Sequence, residues 1–477
     1  MRRLPETLLN SLEGIIGFDR EAFEKVHYEK QQLTSVRINP AKFKLDVSTI
    51  GNDVAIASPE IFDLELSLSS CEKVGWSQYG FYLPKRPSFT FDPLFHAGCY
   101  YVQEASSMFL EQALSQLADL SQPLKILDVS AAPGGKSTHI QSLISKDSLL
   151  VCNDVIRSRC HILVDNIVKW GCNNVVVTNN DPKSFAKLKG YFDVIVVDAP
   201  CSGSGLFRKD EEAIDEWSLN NVELCSQRQQ RILADVLPSL KEGGLLIYST
   251  CSYSPEEDEQ ITNWLVDECE MKNENVALKS EWGIVESEAG KTDSVGYRFF
   301  PDKVKGEGFY LACFRKSLPT EESRSKFSKK LPVPTAEQKI LDSWLKTDGL
   351  SFVKHSEKIL ALTETVATNL QLLQGALNIQ YAGIAVGEIK QGNLVPNHAL
   401  AATTILKDGV EKLDLPYDDA IKYLQRNDLS VKPTTAGWQL VSYKNHNLGW
   451  IKALPGRINN YFPKELRILK QFNDNKL

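Results

Sequence analysis

The sequence predicts an α/β protein: a Rossmann-like core of parallel strands and helices, preceded by a small α+β domain and followed by a further folded region. Three observations carry this. Between about residues 96 and 318, short runs of Val, Ile and Leu alternate with stretches of helical period. A glycine-rich turn, Ala132-Pro133-Gly134-Gly135-Lys136, follows the first of these runs. Two cysteines, Cys201 and Cys251, each stand just past the end of another.

Taken in order, residues 1–95 read as the small mixed domain. Helical stretches near 5–15 and 19–30 precede a strand at 36–40, and the pattern turns aromatic and strand-like around Gly75-Trp76 and 80–83. The core domain, 96–318, places strands at 125–129, 149–153, 174–178, 192–197 and 245–249, each rich in the branched residues of a sheet covered on both faces. A helix at 138–144 follows the glycine turn. Another lies between the second and third strands, where Cys160, Leu163, Ile167 and Trp170 recur at helical spacing before Gly171 as C-cap. A late strand at 308–314 is expected beside or near the fifth. Residues 319–335 are polar, charged and proline-bearing, a linker, and 336–477 form the C-terminal region.

At 477 residues the chain is too long for one typical core, so two or three domains are expected. The net charge of −7 argues against a nucleic-acid coat protein without excluding local contact. Ten cysteines include no CxxC pair, so no metal site is indicated, and free thiols imply a reducing cytoplasm. No apolar run has the length of a signal peptide or a membrane span. From Lys432 onward, eight lysines and arginines face only Glu465 and Asp474, interleaved with Trp438, Tyr443, Trp450, Tyr461 and Phe462. Charges for phosphates and rings for bases suit RNA, with most of the rings packing a small core.

The segment from Asp128 to Ser137 lies between a strand and a helix, where glycines let the backbone approach a ligand. A Walker A loop would need glycine where Ser130 stands, and a dinucleotide site would need GxGxxG. The remaining candidate is S-adenosylmethionine, whose ribose hydroxyls want a carboxylate at the end of the second strand. Asp154 stands there, and Asp181 ends the third strand within reach of an adenine amino group. With Asp198, three acids stand at successive strand ends, which in a doubly wound sheet line the ligand crevice.

Paired thiols beside such a cradle suggest covalent attack on an electron-poor ring. Carbon 5 of cytosine is too weak a nucleophile to take a methyl group directly. A thiolate adding to carbon 6 makes the ring an enamine, after which a base must remove the carbon-5 proton so that the thiol can leave. Asp198, three residues before Cys201, is placed to polarise ring nitrogen 3 through a proton. Cys152, Cys160 and Cys313 lie inside strand or helix patterns and read as core residues.

The segments DVSAAPGGKS, VVDAPCSGSGLFRKD and YSTCSYSPEEDEQ resemble the signature segments of the Nop/Sun family of RNA cytosine-5 methyltransferases, and residues 101–108 are similar to that family's lead into the core. Arg37-Ile38-Asn39 and 75–83 are similar to its N-terminal domain. The stretches 386–401 and 449–463 look like the C-terminal domain of one bacterial branch, the small-subunit ribosomal RNA methyltransferase F type, with a PUA-like RNA-binding module at about 383–477. The resemblance implies that Cys251 is the nucleophile and Cys201 the thiol that helps release the product. It implies cofactor contacts from Ser130, Ala131, Ala132, Pro133, Gly134, Gly135, Lys136, Asp154, Asp181 and Asp198, with Lys136 close to the reacting groups and Arg159 supporting the site. The family commonly has Cys where this chain has Ser130. The expected partner is RNA, small-subunit ribosomal RNA or the assembled 30S subunit, met by a monomer. Transfer RNA, a DNA enzyme attacking through Cys201, and a non-catalytic ribosome-assembly factor are the alternatives.

Overall fold

The computed structural model describes residues 3–29, 33–43, 60–62, 66–67, 71–288, 293–320, 333–355, 357–433 and 435–471. Most of the expected linker and the extreme C-terminus, Lys476 included, lie outside the described residues. Five strands form the parallel heart of the molecule: β1 (Lys125–Asp128), β2 (Leu149–Asn153), β3 (Val175–Thr178), β4 (Phe192–Asp198) and β5 (Leu240–Thr250). Their spatial order is β3-β2-β1-β4-β5. The order reverses between β1 and β4, the place where open α/β sheets bind ligands. Antiparallel strands extend one edge: β6 (Met271–Glu274), β7 (Val285–Glu288), β8 (Val295–Phe299) and β9 (Phe309–Lys316), with β9 against β5 as expected of 308–314.

Alternate side chains of these strands enter two separate cores. Ile126, Leu150, Val175, Val177, Val194 and Val196 pack on one side, Leu127, Val151, Val176, Ile195 and Val197 on the other. That double burial is why the strands read as unbroken hydrophobic runs, and each such side chain contributes about 1.5–3 kcal/mol. Helix α1 is Gly135–Leu143, and α2 is Arg157–Trp170. On the first face α2 buries Cys160, Leu163, Ile167 and Trp170, the spacing seen in the sequence. Helix α3 (Leu219–Val236) covers the second face, α4 is Glu259–Asp267, and α5 (Glu364–Ala376) packs Val366, Leu370 and Leu373 beside α3. Cys152, Cys160 and Cys313 are fully buried.

Helix α1 starts three residues earlier than its sequence pattern indicates. Gly134 adopts φ +112° as N-cap, a left-handed turn that points the chain straight into the helix, so Gly135 becomes its first residue. Beyond the linker, β10 (Ile379–Ala382) pairs antiparallel with β3 and extends the central sheet. The sheet therefore takes its last edge from the C-terminal region.

The N-terminal sheet orders strands Glu72–Lys73, Gly80–Leu83, Thr34–Ile38 and Tyr100–Val102. The C-terminal region holds two four-stranded sheets, one spanning 350–396 and one spanning 412–460. Val36, Ile38 and Tyr100 share a core with Tyr423, Val441, Tyr443 and Phe462, so the two ends of the chain pack on each other. Among the described residues no helix is long and apolar enough to cross a membrane, and no His/Cys/Asp/Glu group could hold a metal ion.

Candidate active site

Adjacent parallel strands place the two thiols together. Asp198 at the end of β4 pairs in register with Ser249 near the end of β5. Pro200, with no N–H to donate, ends the first ladder. The chains then turn so that Cys201 Sγ and Cys251 Sγ stand 3.1 Å apart, both half-buried. The loops could not approach so closely with a larger residue at Gly205. Its amide donates to the Cys251 carbonyl, and a Cβ there would lie 2.7 Å from that oxygen and 2.6 Å from the Gly308 carbonyl.

The thiols are not equivalent. The hydrogen bond with Cys251, reinforced by burial, pushes the Cys201 thiol well up. On the cofactor side, Lys136 Nζ stands 2.8 Å from Asp198 Oδ2, and Ser249 donates to Asp198 Oδ1 at 2.8 Å. Burial opposes the Lys136 charge, but Asp198, with smaller help from Asp128 and Cys251, raises it overall. Asp198 thus sits in an ion pair with Lys136.

The cradle is built by side chains that lock backbone. Ser137 donates to Asp128 Oδ2 at 2.6 Å, Arg159 donates to the Ala132 carbonyl at 2.6 Å, and Asn166 to the Pro133 carbonyl at 2.8 Å. Arg159 Nη1 also stands 3.6 Å from Asp154 Oδ2. Asp154 Oδ1 accepts from the Ile156 amide, while its Oδ2 is buried with no hydrogen-bond donor. Asp128 Oδ1 is likewise buried and unpartnered, and burial lifts this carboxyl to about 7 against the Ser137 bond. Unfilled buried acceptors are rare in folded proteins. One at the end of β2 fits a ligand that brings hydroxyl donors, as a ribose does. Asp181, past the end of β3, caps a short helix through the Lys183 amide and stands 3.6 Å from Arg231. Ser130 and Ala131–Pro133 form the turn between β1 and α1, with the Ala131 amide bonded to the Asn153 carbonyl.

Two contributors escaped the sequence reading. Arg37, wholly buried, crosses from the N-terminal domain to α1. It donates to Gln103 Oε1 at 2.9 Å, Thr138 Oγ1 at 2.6 Å and the Gly135 carbonyl at 3.2 Å, and stacks on Trp170. Glu257 is the other. It is fully buried and bonds to the residues that follow both cysteines. Its place in SPEEDEQ marked it as part of a motif, but no local signal gave its partners.

Three sequence-family models match the chain: "16S rRNA methyltransferase RsmB/F" over residues 116–315, "N-terminal domain of 16S rRNA methyltransferase RsmF" over 4–105, and "Methyltransferase RsmF PUA domain" over 410–468. The chain is 30% identical to ribosomal RNA small subunit methyltransferase F of Pectobacterium atrosepticum, over 91% of this chain and 89% of that protein. It is 28% identical to the protein of the same name from Vibrio vulnificus, over 97% of each. Its fold is similar to that of NSun6 from Pyrococcus horikoshii, solved with SFG, at a TM-score of 0.51 and 19% identity, covering 66% of this chain and 98% of that one. The chain belongs to the ribosomal RNA small subunit methyltransferase F family and is an S-adenosylmethionine-dependent RNA methyltransferase.

Proposed function

We propose that this enzyme methylates carbon 5 of a cytosine in small-subunit ribosomal RNA through a transient bond between Cys251 and carbon 6. The observation that carries the reading is the pair of thiols at 3.1 Å, with the Lys136–Asp198 ion pair alongside. Asp154, Asp181 and the loop from Ser130 to Lys136 hold the cofactor, with Arg159 bracing Ala132 and Asp154. When bound, S-adenosylmethionine supplies an electrophilic methyl group on a sulfonium centre. Cys251 adds as thiolate to carbon 6, and Lys136 donates toward ring nitrogen 3, which moves electron density to carbon 5. Cys201, its own proton passed to solvent, takes the carbon-5 proton as thiolate; the C5–H electron pair restores the ring double bond, and the bond from Cys251 to carbon 6 breaks with its electrons returning to sulfur.

Ribosomal RNA as substrate is supported by the names of the relatives and by the C-terminal surface. There an open cleft of about 1230 Å³ is lined by Arg426, Lys432, Arg457, Tyr461 and Lys464. Tyr461 is exposed beside Trp438, on which Lys452 lies, while Tyr443, Trp450 and Phe462 fill the core. The enzyme acts as a cytoplasmic monomer on this RNA, free or within the 30S subunit. Denaturing gels test the thiol roles. Cys201→Ala is expected to accumulate a covalent RNA adduct, and Cys251→Ala to form none. The opposite pattern would exchange the roles, and bisulfite sequencing of RNA with and without the enzyme identifies the cytosine.

A further inference from the structure

We propose that Glu257 is a positioning residue for the whole thiol pair: one buried carboxylate that fixes the distance between Cys201 and Cys251. The proposal rests on the reading of these two cysteines as the working groups. Oε1 accepts from the Ser202 amide at 2.8 Å and from Gln229 Nε2 at 3.1 Å. Oε2 accepts from the Ser202 hydroxyl at 2.5 Å and the Ser252 hydroxyl at 2.7 Å. Ser202 and Ser252 are the residues immediately after the two cysteines, so one group binds both loops at equivalent points.

The far side of each cysteine is tied as well. Gln229 also donates to the Pro200 carbonyl at 3.1 Å, which holds the residue before Cys201. Thr250, before Cys251, donates to the neighbouring Asp258 at 2.6 Å. Tyr248 closes the frame by donating to the Glu257 carbonyl at 2.6 Å, with its hydroxyl 3.0 Å from Gln229 Oε1. A carboxylate has about four acceptor positions, and here four donors occupy them. Glu257 therefore has no lone pair left for substrate, which separates positioning from acid–base work. If it were removed, the Ser202 amide would lose its acceptor in the interior, and the Ser202 and Ser252 hydroxyls would keep only the longer contacts with each other and with Ser204. The loops would then separate until water reached them.

The thiols report their own spacing. In the full-length protein without RNA, diamide oxidises a close dithiol: two S–H bonds are lost, one S–S bond forms, and the diazene takes up both hydrogens. The rate of the Cys201–Cys251 disulfide is read by alkylation and peptide mapping. Glu257→Ala is expected to slow it by about tenfold or more, and to lower kcat for methyl transfer by about a hundredfold at unchanged affinity for S-adenosylmethionine. Glu257→Gln, which keeps part of the bonding, falls between it and the wild type. Should the alanine variant not fold, Ser202→Ala and Ser252→Ala each remove one hydroxyl bond to Glu257, and each is expected to slow the disulfide roughly fivefold. Folded variants that form the disulfide at the wild-type rate overturn the proposal. A slowed disulfide in an enzyme that methylates no RNA upholds it and refutes the functional reading instead.

Discussion

The two halves of the active site satisfy their buried acceptors in different ways. At the thiols, both oxygens of Glu257 are filled from within the protein. At the cradle, a few residues away, Asp154 Oδ2 and Asp128 Oδ1 are buried without a donor. A group that must hold a reactive pair at fixed spacing before substrate arrives gains from complete internal bonding. A group that must recognise a dissociable ligand needs an unfilled acceptor, because the ligand's donors then add bonds instead of replacing them.

The largest expected effect that tests this contrast is at Asp154. Asp154→Ala should weaken S-adenosylmethionine by about 1.5–3 kcal/mol, roughly tenfold to a hundredfold, read by titration calorimetry. Cys251→Ala should leave that affinity unchanged. Equal losses in both variants would erase the division. A smaller effect is expected at Ser137. Ser137→Ala removes the one hydrogen bond to Asp128 Oδ2 and should cost about 1–3 kcal/mol of stability in urea unfolding.

The finest test is a pH series on Asp128→Asn. Burial raises the Asp128 carboxyl from its ordinary 3.8 to about 7, so the folded protein binds this proton more tightly than the unfolded chain. The stability it contributes is full below 3.8 and is lost as pH rises through about 7. Asparagine does not titrate. The wild type should therefore lose stability relative to the variant across that window, measured by thermal melts of the cofactor-free protein. A constant difference would place the proton elsewhere.

Much of this geometry was legible because parallel strands buried on both faces leave hydrophobic runs, and residues past their carboxyl ends share one edge. That logic alone places Cys201, Cys251, Asp154, Asp181 and Asp198 at or just past the carboxyl ends of parallel strands in one sheet. What it could not give depends on contacts across long stretches of chain. Glu257 looks like any acid in an acidic segment until two loops fold over it. Arg37 lies in the N-terminal domain, and nothing near it announces that it grips the first turn of α1. The start of α1 lies earlier than the sequence pattern indicates because glycine favours helix poorly, whereas Gly134 is needed there for the left-handed turn. Strand β10 carries no signal distinguishing a partner in the catalytic sheet from one in its own domain.

That strand has a practical consequence. Asn378, just before it, accepts from the Asn179 amide at 3.0 Å and donates its own amide to Asn180 Oδ1 at 2.9 Å, next to Asp181. A protein cut at the linker would keep all its chemical groups yet bare a row of peptide donors and acceptors along β3, inviting strands from other molecules. It would also release the tether beside Asp181. The C-terminal arm is thus a splint for the enzyme as well as a hand for its RNA.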